Sequence, residues 1–122
     1  MKFKESKPIY LQIADRICDE ILQGKYKEEE RIPSVREYAA TVEVNANTVV
    51  RSFDYLQGQD IIYNKRGLGY FVAQSGRERI LKLRKEVFLR DELPEFFRQI
   101  KTLDIPLKDV EKMYNEYLKE ND

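Results

Sequence analysis

Asn45-Ala46-Asn47-Thr48-Val49-Val50-Arg51 decides how this chain is read. The Asn45 side chain can accept a hydrogen bond from one of the free backbone N–H groups that open a helix. Val49, Phe53 and Leu56 then follow at helical spacing as a buried stripe. That leaves Asn47, Thr48 and Arg51 outside. An amide, a hydroxyl and a guanidinium at the amino end of a helix are groups that reach base edges and phosphates, and the helix terminus itself favours anions. The stretch alone fits either a DNA-recognition helix or an ordinary capped surface helix, so its neighbours must decide.

Just upstream, Pro33 interrupts the chain before Ser34-Val35-Arg36-Glu37, a capping box in which hydroxyl and carboxylate each satisfy a free N–H. A short helix from about Val35 to Thr41 follows, with Val35, Tyr38 and Ala39 inward. Only Val42-Glu43-Val44 separates it from the helix capped by Asn45, a joint that fits a helix-turn-helix or a plain helical corner. Further upstream, Pro8 suits a first helical turn and Ile9, Ile13, Ile17 and Ile21 recur every fourth residue, which predicts a helix to about Gln23. Gly24 is a left-handed stop, residues 25–30 form a charged loop, and Arg31-Ile32 is long enough only for a fragment of strand. Downstream, Gly58 ends the helix. The β-rich runs Ile61-Ile62-Tyr63 and Tyr70-Phe71-Val72 then flank Asn64-Lys65-Arg66-Gly67-Leu68-Gly69, a hairpin with a basic tip whose glycines allow positive φ. Helix, strand, helix, helix, hairpin is the order of a winged helix-turn-helix.

The 122 residues allow one compact domain plus an appendage, but no large ligand-binding domain. No apolar run approaches the roughly 20 residues that span a bilayer, and Met1-Lys2-Phe3-Lys4-Glu5-Ser6 leads into polar sequence without the apolar core of a signal peptide. A cytoplasmic protein is expected. Cys18, the single cysteine, cannot form an intrachain disulfide and reads as a small filler beside a helix face. Twenty-two basic residues balance 22 acidic ones, so nucleic-acid binding must rest on a local patch of Arg36, Arg51, Lys65 and Arg66, with Glu28-Glu29-Glu30 directed elsewhere.

Residues 1–74 are therefore expected to form the winged domain and residues 75–122 a three-helix segment. In the latter, Pro94 and Pro106 divide three apolar stripes: Ile80, Leu83, Val87; then Phe96, Phe97, Ile100, Leu103; then Leu107, Val110, Tyr114, Tyr117. So short a segment can scarcely bury that surface alone. A homodimer is expected, which would offer two recognition helices to a palindromic double-stranded DNA site; folding back on the winged domain is the alternative. The expected class is mostly α with a small β-wing, followed by a short helical dimerisation tail.

Lys7-Pro8-Ile9-Tyr10-Leu11-Gln12-Ile13, Ile32-Pro33-Ser34-Val35-Arg36-Glu37, Val44-Asn45-Ala46-Asn47-Thr48-Val49 and Gly67-Leu68-Gly69-Tyr70-Phe71-Val72 occur in this order across residues 7–73. Together they resemble the winged-helix domain of GntR-family bacterial transcription regulators. The short tail resembles the YtrA-type subfamily, which implies a dimer and frequently a repressor of transporter operons. That subfamily commonly has proline at the place of Ala46, and both residues suit a first helical turn. Other branches have arginine there, so a base contact by such an arginine does not transfer.

The resemblance implies that Arg36 enters the major groove, where a planar fork can bridge guanine O6 and N7 or clamp a phosphate; an ion pair with Glu37 or Asp15 is the competing role. Ser34 and Thr48 stand at helix amino ends, where hydroxyls hold phosphate oxygens or simply cap. Asn47 and Arg51, one turn apart, should face the same way, and Asn45 serves mainly as a cap. Lys65 and Arg66, with Gly67 permitting the turn, would reach the backbone or minor groove unless the tip is merely solvated. No cofactor and no catalysis are expected: there is no histidine, no phosphate-binding glycine loop and no cysteine metal spacing. A winged module that binds protein instead of DNA is the rival reading, supported by the neutral net charge. An unknown small-molecule effector is a further candidate partner, but no polar constellation names one, and Phe96, Phe97, Tyr114 and Tyr117 read more readily as dimer core than as a pocket.

Overall fold

The computed structural model describes residues 7–121; the polar lead-in 1–6 and Asp122 lie outside the described residues. The elements are α1 (Ile9–Leu22), α2 (Val35–Val42), α3 (Ala46–Gly58), β1 (Ile62–Lys65), β2 (Gly69–Val72), α4 (Gly76–Val87), α5 (Leu93–Thr102) and α6 (Leu107–Glu120). A π-helical turn, Phe88–Glu92, carries α4 into α5. The chain is thus mostly helical with a two-stranded antiparallel wing, as the sequence predicts. Among the described residues no helix is long and apolar enough to cross a membrane.

Contacts divide the chain into two units within α4, between Lys82 and Leu83. The first reaches beyond residue 74 because the start of α4 is built into it. Gly76 lies so near the connection between α3 and β1 that a Cβ there would sit 2.7 Å from the Ile61 carbonyl oxygen. Arg77 Nη1 donates to the Leu22 carbonyl at 2.7 Å, satisfying one of the free acceptors at the end of α1, and Ile80 is buried.

Helix α1 buries Ile13, Ala14, Ile17, Cys18 and Ile21. Ile9, the first of the every-fourth series, is instead 44% exposed. At 3.6 residues per turn, each four-residue step turns the side chain by about 40° beyond a full circle, and the row leaves the core. Gly24, at φ +84°, ends the helix as expected. Helix α2 runs one residue further than predicted because Val42 is itself buried, and Glu43 at φ +57° takes the left-handed cap. Cross-linking the two helices, the hydroxyl of Tyr38 donates to the buried Glu20 carboxylate at 2.8 Å, and Lys25 donates to its other oxygen at 3.2 Å. Burial, followed by that hydrogen bond to Glu20, pushes the Tyr38 hydroxyl far above its ordinary range. The carboxylate is thereby paired, as a buried charge must be.

Val49, Phe53 and Leu56 of α3 are fully buried, as the stripe predicted. Phe53 meets Tyr70 of β2 edge-on at 4.9 Å and Tyr38 of α2 at 6.5 Å, joining three elements through one ring. The hairpin pairs Ile62 with Val72, Tyr63 with Phe71, Asn64 with Tyr70 and Lys65 with Gly69. The ladder therefore runs two residues nearer the tip than β-propensity suggested, and the turn shrinks to Arg66-Gly67-Leu68. Beside β2 lies the predicted strand fragment: Glu29 N–H donates to the Val72 carbonyl, Val72 N–H to that of Glu30, and Ile32 N–H to that of Tyr70, all within 2.8–2.9 Å. This register sets the acidic run against the base of the wing and brings Arg31 towards its tip.

In the second unit Pro94 does not separate two helices. A regular helix would press its ring on the Arg90 carbonyl; the widened turn, in which Leu93 N–H reaches the Phe88 carbonyl, relieves that crowding. None of the side chains of the π-helical turn, α5 or α6 is buried.

Phe53→Ala removes a fully buried ring from the centre of the first unit. It should lower the unfolding free energy by about 3–5 kcal/mol in chemical denaturation; a loss under about 1 kcal/mol would show that the ring holds nothing together.

Candidate nucleic-acid interface

Helix α2 begins with both halves of the predicted capping box. Glu37 N–H donates to Ser34 Oγ at 3.1 Å, and Ser34 N–H donates to Glu37 Oε1 at 2.9 Å. Ser34 keeps its hydroxyl proton to donate outward. Arg36, in the first turn, is exposed and has no hydrogen-bond or ion-pair partner among the described residues. The two carboxylates that competed for it are engaged elsewhere: Asp15 pairs with Lys7, while Glu37 serves the cap and lies 3.9 Å from Arg31. The Ser34 backbone N–H, then its hydroxyl, then nearby Arg31 hold the Glu37 carboxyl below its ordinary 4.5.

Asn45 caps α3, its Oδ1 accepting from Asn47 N–H at 2.7 Å, and its Nδ2 remains available to donate. The Asn47 side chain is exposed and unpartnered among the described residues. Thr48, expected outside, is only half exposed. It sits at the edge of the buried stripe, next to Val49 and one turn before Ser52, whose hydroxyl donates to the Tyr10 carbonyl at 2.7 Å. Arg51 is exposed but lies over the Tyr10 ring at 4.2 Å, a cation–π contact that steadies a guanidinium while leaving its rim free to donate. Asn47 and Arg51 thus share a helix face but differ in company.

On the wing, the Lys65 ammonium lies over Phe71 at 4.7 Å, and Arg66 begins the turn, exposed and unpartnered among the described residues. Gly67 adopts φ +81°, as a tight turn needs. The sequence reading missed Arg31. Its Nε donates to the Leu68 carbonyl in the wing turn at 3.1 Å, and its guanidinium approaches Glu37 on α2. Wing turn and α2 amino end are thereby brought together. Nothing local to Arg31 announces a partner 37 residues away, and the same holds for Tyr10 beneath Arg51.

The family model described as "Bacterial regulatory proteins, gntR family" matches residues 9–72. The chain belongs to the GntR family. Among its GntR relatives, the transcriptional regulator YhcF of Bacillus subtilis is 34% identical over 89% of this chain and 88% of its own length. The repressor YtrA of the same bacterium is 32% identical over 65% of this chain and 61% of its own length. A crystal structure of a GntR-family regulator from Bacteroides thetaiotaomicron superposes with a TM-score of 0.83, at 59% identity, covering 94% of this chain and 100% of that one. The AraR DNA-binding domain in complex with operator ORR3 is similar over 60% of this chain and 88% of its own, at 29% identity and a TM-score of 0.54. The chain is a DNA-binding transcriptional regulator of the GntR family.

The α2 cap generates a pH prediction. A carboxyl whose folded value lies below its ordinary one adds stability above pH 4.5, and that stability is lost as pH falls through the folded value. Glu37→Gln keeps an acceptor for Ser34 N–H but cannot titrate, so its denaturation midpoint should fall less steeply below pH 4.5 than that of the unmodified protein. Parallel slopes between pH 3 and 6 would count against the assignment.

Proposed function

We propose that this protein works in the cytoplasm as a homodimeric repressor on a palindromic operator of a neighbouring or transporter operon. The observation that carries the DNA surface is the pair Arg36 and Asn47. Both are exposed and, among the described residues, unpartnered, each in the first turn of one helix of a helix-turn-helix whose caps are already complete. In this reading Arg36 and Asn47 reach base edges; Ser34, Asn45 and Thr48 donate to phosphates from helix amino ends; Arg51, Lys65 and Arg66 neutralise phosphates, with Gly67 letting the wing turn approach. The operator complex of the similar AraR domain and the repressor name of YtrA support both the binding and its sign.

The neutral net charge makes the salt dependence informative. Three phosphate-neutralising side chains per subunit, doubled in a dimer, should give a slope of log affinity on log salt of about −5, measured by fluorescence anisotropy on the promoter of the protein's own operon. Arg36→Ala should cost about 1–3 kcal/mol and relax preference at one base position per half-site. A slope near zero would leave a protein-binding module as the better account.

The second unit supports the dimer. Phe97, Met113, Tyr114, Tyr117 and Leu118 are each 42–66% exposed although apolar or aromatic, and a second copy of the same helices would cover them. We assign the tail's aromatics to that interface, not to an effector pocket. Sedimentation should give twice the 14.6 kDa of one chain, and Phe97→Asp combined with Leu118→Asp should give the monomer mass and weaken operator binding. A protein that sediments as a monomer before substitution would remove the dimer from the proposal.

A further inference from the structure

Arg31 touches both the wing turn and the amino end of α2. Its Nε donates to the Leu68 carbonyl at 3.1 Å, its Nη2 lies 3.9 Å from Glu37, and its backbone bridges to Phe71 of β2. Gly69 is shaped to this arrangement. It adopts φ +108°, and a Cβ there would stand 2.9 Å from Arg31 Nε, so the absence of a side chain makes the room the guanidinium occupies. The backbone bonds from residues 29–32 to β2 end at Tyr70, so beyond that point the turn Arg66-Gly67-Leu68 rests on its own hairpin bonds and the Arg31 fork, and an unsupported two-stranded segment is marginal in water. We propose that Arg31 is a positioning residue that clamps the wing turn onto the amino end of α2, so that Lys65 and Arg66 meet DNA in register with Arg36. The DNA part of this inference rests on the interface described under Proposed function; the clamp itself does not.

A planar guanidinium can donate from Nε to a carbonyl while its terminal nitrogens face a carboxylate; a lysine ammonium carries the same charge without that fork. This difference separates positioning from simple charge. In the intact protein, Arg31→Gln and Arg31→Lys should both raise hydrogen exchange at the Leu68 and Gly69 amides, by about tenfold for loss of one charge-assisted bond, with exchange in α1 unchanged. Operator affinity should then be measured for Arg31→Gln, for the double substitution Lys65→Ala with Arg66→Ala, and for all three together. A clamp predicts that the wing substitutions cost much less in the Arg31→Gln background than in the unmodified protein, and that Arg31→Lys does not restore affinity. Fold losses that simply multiply, with rescue by Arg31→Lys, would show instead that Arg31 contacts phosphate directly and would overturn the proposal. Unchanged exchange at Leu68 and Gly69 would overturn it as well. If the unmodified protein bound no DNA, the interface reading would fall, whereas the exchange measurement would still decide the clamp.

Discussion

The Phe53 ring is the contact on which the rest of the winged unit depends. It lies fully buried in α3, meets Tyr38 of α2 on one side and receives Tyr70 of β2 edge-on at 4.9 Å on the other. Each of those partners carries one part of the candidate surface: Tyr38 lies one turn after Ser34 in the helix that carries Arg36, and Tyr70 pairs with Asn64 just before Lys65. An aromatic buried at both junctions contributes area and geometry together, so the relative placement of two helix starts and a hairpin is fixed from beneath. The polar groups above need no packing role of their own. They are free to be chosen for what they bind.

That freedom explains how a chain with equal numbers of basic and acidic residues can present a cationic surface. Several acidic side chains of the winged unit are already committed: Glu37 to the α2 cap, Asp15 to Lys7, Glu20 to Tyr38 and Lys25. Glu29 and Glu30 lie beside Val72, at the end of β2 remote from the wing turn. Among the described residues Arg36 and Arg66 are left without partners, and Arg51 and Lys65 are steadied by aromatic rings that leave their charge in place. Neutrality of the whole and basicity of one face are compatible because pairing, not composition, decides which charges are available.

What the sequence made legible is what the chain encodes within a few residues. The Ser34 and Asn45 caps, the Gly24 stop, the buried stripe of α3 and the positive φ of Gly67 and Gly69 each depend on neighbours three or four positions away, and each is present. Interactions across long separations left no local trace. Arg31 meets Leu68 across 37 residues, Tyr10 lies beneath Arg51, and Glu29 and Glu30, in a stretch that reads as charged loop, extend the expected Arg31-Ile32 fragment along β2. Asn64 and Lys65 join the ladder because Tyr70 and Gly69 oppose them, although neither residue favours a strand. The half-buried Thr48 is an error of the same origin, since only the packing around Ser52 and Val49 determines how far the core stripe spreads.

The second unit obeys a different logic, and its exposed surface follows from the way its helices are joined. A break at Pro94 would have allowed α5 to fold back and bury its stripe within the chain. The π-helical turn instead absorbs the proline, so the helical backbone runs unbroken from α4 into α5. Asp104, at φ +54°, ends α5, and the Ile105 N–H returns to the Ile100 carbonyl at 2.9 Å before Pro106 starts α6. These local choices are satisfied without any residue of α5 or α6 becoming buried. Helices with well-made ends and uncovered apolar faces present the surface that the proposed second copy would cover, since a copy carries matching faces at matching spacing.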